Sequence, residues 1–116
     1  MLKKLPGGDN MNQNPLEFIK MNDPELFNNI GANRNLAFQD GPLSQKHKLL
    51  IALALDAAHG ATNGVKNLAK QALDAGATKG EIMDALRVTY FITGVGSIYT
   101  AAQALHEIIW RRSQKS

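Results

Sequence analysis

Between Ser44 and Gly60 the chain reads SQKHKLLIALALDAAHG, and its apolar positions go almost all the way round a helix. Leu49, Leu50, Ile51, Leu53, Ala54, Leu55, Ala57 and Ala58 leave too narrow a polar strip for a surface helix. The pattern predicts a helix over about 45–59 that is buried on most sides. Ser44 is placed to cap it, and Gly60 to stop it just after His59. A second periodic stretch, 62–75, puts Val65, Leu68, Ala69, Ala72 and Leu73 on one face and ends at Gly76. Thr78-Lys79-Gly80-Glu81 has capping-box spacing, in which the Thr and Glu side chains each satisfy a free backbone N–H of the other. It opens a helix expected to reach Thr93 on Ile82, Ala85, Leu86, Thr89 and Ile92. Gly94-Val95-Gly96-Ser97 breaks the pattern. A last helix then runs to about Arg112, and its small residues, Gly96, Ser97, Thr100, Ala101 and Ala104, admit a closely packed neighbour.

Upstream, Asp23-Pro24-Glu25 is a helix start: Asp caps, Pro takes the first helical position, and Glu favours the positive end of the dipole. That helix is expected to run to Phe38, preceded by a short helical turn at 16–21. Residues 1–15, rich in Gly, Asn and Pro, read as a lead-in. No stretch alternates with period two. The fold class is all-α, about five to six helices in one domain over 16–112, with a short tail at 113–116.

Composition narrows the chemistry. The 116 residues contain no cysteine, which removes disulfides, thiolate metal sites and cysteine nucleophiles together. The longest apolar run, 49–55, is far short of the roughly 20 residues of a membrane span, and the N-terminus has no apolar signal region. No membrane partner and a cytoplasmic location are expected. The formal charge of +3 comes from the two ends, where Lys3, Lys4, Arg111, Arg112 and Lys115 lie. No basic stripe or aromatic ladder accompanies it, so a nucleic-acid partner is not expected. Trp110 beside the two arginines is amphipathic and suits a subunit contact.

The polar residues that stand out gather at 56–63. Asp56 interrupts an apolar helix, His59 follows three residues on and so shares its face, and Asn63 lies just across the joint. Such a group beside a helix N-terminus suits acid–base work by Asp56 and His59 or the holding of a small anion. An Asp paired with His as a helix-end cap is the structural reading of the same residues. Tyr90 and Thr93, with Thr89, set hydroxyls along one helix and are candidates to line a pocket. His47 and His106 are expected at the surface. The three histidines lack metal-ligand spacing, so no metal and no cofactor is expected.

The ordered set "LS" before LIALA, then ALDAGAT, EIMDAL, an aromatic-containing helix and the Gly-rich GVGS resembles the carboxymuconolactone decarboxylase family, which includes the alkylhydroperoxidase D-like proteins, over roughly residues 23–108. The resemblance implies an AhpD-like helical bundle and a homo-oligomer, trimer or hexamer. It also locates an absence. The peroxidase branch carries C-x-x-C-x-x-x-H at the start of a helix, where the dipole favours a thiolate. In this chain those positions are Ala61, Gly64 and Leu68, and the family's acidic position falls near Leu49. None of the family's reactive residues carries over. The expectation is an oligomer that holds a small organic ligand, such as an organic acid, without the dithiol chemistry. The alternative is a cofactor-free decarboxylase or isomerase working through Asp56 and His59, with Asn63, Tyr90 and Thr93 as binding residues.

Overall fold

The computed structural model describes residues 15–115, with side chains to residue 108. The lead-in at 1–14 and the Trp110-Arg111-Arg112 side chains lie outside the described residues. Six α-helices and no strand occur among those described: α1 (Leu16–Asn22), α2 (Pro24–Phe38), α3 (Gln45–Ala58), α4 (Thr62–Asp74), α5 (Lys79–Thr93) and α6 (Gly96–Lys115). The all-α reading holds. The helix starts follow the local chemistry read from the sequence. Asp23 accepts the Leu26 N–H at 3.0 Å to begin α2, and Ser44 accepts the His47 N–H at 3.2 Å to begin α3. Thr78 and Glu81 close both halves of the capping box, at 3.0 and 2.9 Å, to begin α5.

The chain divides into two units, Met1–Gln39 and Asp40–Ser116. In the first, α1 packs on α2, Lys20 lies over the Phe27 ring and Arg34 over the Phe38 ring, and no residue of either helix is buried.

The second unit has a continuous core. Leu53 and Ala57 of α3, Val65 and Ala69 of α4, Ile82 and Leu86 of α5, and Ala101, Ala104, Leu105 and Ile108 of α6 form one buried cluster. The small residues of α6 are engaged inside this unit: Ser97, Ala101 and Ala104 are buried there, with α6 packed on α3, α4 and α5. Lys46, at the start of α3, donates to Glu81, at the start of α5, at 2.9 Å. That ammonium, followed by the Thr78 backbone N–H, holds the Glu81 carboxyl below its ordinary value of 4.5.

Two helix ends use the same device. After α3, Gly60 takes φ 76°, its N–H donates to the Ala57 carbonyl, and the Ala61 N–H donates to that of Asp56. This is a Schellman motif, and it satisfies carbonyls that the helix leaves open. The residues after α4 repeat it, with Gly76 donating to Leu73 and Ala77 to Ala72. The break between α5 and α6 is different. Gly94 sits at φ 92°, ψ 177°, an extended left-handed conformation open essentially to glycine alone.

One expectation from the pattern is met on only part of the surface. Leu49, Leu53 and Ala57 of α3 are buried, but Ile51 and Leu55 are about half exposed. They face a groove on the side of α3 that meets α5.

Candidate functional site

Two places on the second unit collect the residues of interest. The first is the joint between α3 and α4. His59 is the C-cap of α3, and its ring folds back so that Nδ1 donates to the Leu55 carbonyl at 2.7 Å. It is exposed, as is Asn63 on the first turn of α4. Asp56 is half-buried and points at that same turn. A Cβ built on Gly64 would collide with the Asp56 carboxylate, whose Cγ would lie 2.9 Å away. α4 has no side-chain cap of its own, since Ala61 is its N-cap. The Asp56 carboxylate therefore brings negative charge to the positive end of α4, a favourable placement.

The second place is the groove between α3 and α5. It encloses about 410 Å³ and is lined by α3 residues from His47 to Ala58, by Leu43 ahead of that helix, and by α5 residues from Ala85 to Thr93. The lining repeats at helical spacing: Leu50, Ile51, Ala54, Leu55 and Ala58 on one wall, Ala85, Val88 and Ile92 on the other. Almost all of it is carbon. The two hydroxyls present are engaged with backbone, Thr89 donating to the Ala85 carbonyl at 2.9 Å and Thr93 to that of Thr89 at 2.8 Å. His47 is the one ionisable group of the lining. Its Nδ1 lies 2.7 Å from Ser44 Oγ, in hydrogen-bond contact, which orients the ring and leaves Nε2 as its other polar atom.

The sequence-derived candidates thus separate. Asp56, His59 and Asn63 lie at the joint, where His59 bonds Leu55. Thr93 lies in the groove. Tyr90 is exposed on α5 and is not part of the groove lining. The groove walls were missed as a site, although their signal is present: the apolar residues of 43–58 and 85–92 exceed what one buried face of each helix needs. Among the described residues, no cluster of three or more His, Asp or Glu side chains is arranged to hold a metal ion. No described helix is long and apolar enough to cross a membrane.

Ala61, the N-cap of α4, and Gly64 and Leu68 within that helix bring no thiol and no imidazole to its start, and the space beside Gly64 is taken by the Asp56 carboxylate. The chain is similar to MJ1511, an uncharacterized protein of Methanocaldococcus jannaschii, with 30% identity over 93 residues, covering 80% of this chain and 87% of that one. No solved structure matches the chain. The model of the carboxymuconolactone decarboxylase family matches residues 24–107, from the start of α2 to the body of α6. With most of its length matched in this way, the chain belongs to the carboxymuconolactone decarboxylase family.

Proposed function

We propose that this protein is an oligomeric member of its family that holds a small organic acid in the α3–α5 groove and does not run dithiol chemistry. The observation that carries the reading is the groove itself. Its volume of about 410 Å³ falls within the range of roughly 300–1,000 Å³ typical of small-molecule sites, and its walls are apolar with a single polar end. An apolar body would lie between Ile51, Leu55, Val88 and Ile92. A carboxylate at its end would meet the His47 ring, which Ser44 already orients. The groove offers no thiol, and the chain has none anywhere.

The test uses anilinonaphthalene sulfonate, an apolar fluorophore with one anionic group. Its emission should rise on binding and be displaced by decanoate more effectively than by decanol, and His47→Leu should erase that preference. Failure of the fluorophore and of decanoate to bind, or to raise the melting temperature, overturns the reading. Hydroperoxide consumption above the buffer rate by the purified chain would overturn the exclusion of peroxidase chemistry.

The acid–base reading of Asp56 and His59 places its chemistry at the α3–α4 joint, outside the groove lining. It requires turnover of an unsaturated acid or lactone that His59→Ala abolishes.

A further inference from the structure

We infer that Asn63-Gly64, at the joint between α3 and α4, is a site of spontaneous covalent modification, where the Asn63 amide is converted to a carboxylate. The step needs no enzyme, metal or oxidant. The backbone nitrogen of Gly64 attacks the side-chain carbonyl carbon of Asn63. A new C–N bond closes a five-membered imide, the nitrogen's proton passes to solvent, and the side-chain nitrogen leaves as ammonia. Water then opens the ring at one of its two carbonyls. One opening restores the normal backbone as aspartate, and the other routes the chain through the side chain as isoaspartate. An amide becomes a carboxylate, one negative charge is gained, and nothing is oxidised or reduced.

Three observations carry the inference. The residue after an asparagine decides whether its nitrogen can approach, and of the ten asparagines Asn63 alone precedes glycine. Glycine has no Cβ to block the approach and turns most freely. Asn63 is also exposed, and the Gly64 N–H lies ahead of the helical ladder, whose first bond runs from the Val65 N–H to the Ala61 carbonyl at 3.0 Å. Finally, this first turn is weakly started. Ala61 is its N-cap and no side chain caps it, whereas α2, α3 and α5 each begin on a side-chain cap. It therefore opens more readily than theirs, and opening frees Asn63 from the helical backbone angles that hold the reacting atoms apart. The structure also explains the glycine. The Asp56 carboxylate fills the space of a Cβ at 64, so the contact that keeps this position glycine leaves Asn63 open to attack. After conversion a second carboxylate stands beside Asp56, favoured by the positive end of α4 and repelled by its neighbour. Isoaspartate also lengthens the chain between Ala61 and Val65, which that first bond spans. The joint lies outside the groove lining, so the inference does not depend on the ligand reading.

The test is incubation of the full chain at pH 7.4 and 37 °C, with tryptic mapping over four weeks against a zero-time digest. The tryptic peptide 49–66 holds a single asparagine, Asn63. It should gain one mass unit and split into two product peaks, at a rate at least tenfold that at Asn67, which precedes Leu68 in the same helix. Gly64→Ala should slow the conversion at least tenfold. Alanine at 64 meets Asp56, so a second variant, Asp56→Ala with Gly64→Ala, relieves the collision and should be as slow, with far-UV circular dichroism as the folding control. A rate at Asn63 no greater than at Asn67, an unchanged rate in the folded double variant, or conversion confined to chain unfolded in urea overturns the inference.

Discussion

The carboxylate of Asp56 occupies the space into which a side chain at Gly64 would project. Eight residues apart and on different helices, the two are coupled by the tight Gly60 turn that brings the end of α3 over the start of α4. Gly64 is helical and, taken alone, unfavourable there by about 1 kcal/mol relative to alanine. Its presence is explained by the carboxylate. Gly64→Ala should therefore fail to stabilise the protein, because Asp56 must swing away from the α4 N-terminus. In an Asp56→Ala background the same change should stabilise it by roughly 0.5–1 kcal/mol. A double-mutant cycle by urea denaturation should return a coupling of about 1 kcal/mol or more, and additive effects would refute the contact.

Leu53 is fully buried at the centre of α3, in the cluster that all four helices of the second unit share. Leu53→Ala removes three carbons from a site that α4, α5 and α6 surround. The expected loss is about 3 kcal/mol of unfolding free energy by denaturant titration. A loss under 1 kcal/mol would mean that the core is less closely packed than its burial indicates.

Thr78 and Glu81 make the start of α5 sensitive to substitution and to acid. Thr78→Ala should cost about 1 kcal/mol through loss of the cap. Glu81 is held below 4.5 by the Lys46 ammonium first and the Thr78 N–H second. A carboxyl depressed in the folded state contributes stability above its unfolded value, and that contribution is lost as pH falls through the folded one. Stability should thus decline below about pH 4.5. Glu81→Gln should flatten that acid limb in thermal scans from pH 3 to 6, and an unchanged slope would show that other carboxyls dominate.

The α1–α2 pair has no buried residue, in contrast to the core of α3–α6. Helices of this length are marginal without a packed face. Amide hydrogen exchange should therefore be fast over residues 16–38 and slowest around Leu53, Val65 and Ile82. Equal protection in both regions would show that α1 and α2 are stabilised by a surface outside their own pair.

What the sequence makes legible here is what lies within a few residues of itself. The capping box is encoded in four consecutive residues, and the glycine stops of α3 and α4 in one residue each, so helix order and bounds can be read directly. Asp56 stands out as an acid within an apolar run. Its neighbour Gly64 does not, because their meeting depends on how the chain turns at Gly60. The groove is hidden for a related reason. Ile51 and Leu55 look like core residues in one dimension, and only the placement of α5 leaves them as a wall. The small residues of α6 announce close packing but not its partner, which proves to be the chain's own α3, α4 and α5.

Gly94 carries a wider implication. It is the pivot from which α6 returns to complete the core, and it follows directly on Ile92 and Thr93 at the end of the groove. One achiral residue thereby sets both the closure of the bundle and the reach of the cavity rim. Any other residue at this hinge would strain the backbone at φ 92° and so disturb folding along with the end of the groove. The shape of the groove is open to change mainly at its walls, at 51, 55, 88 and 92.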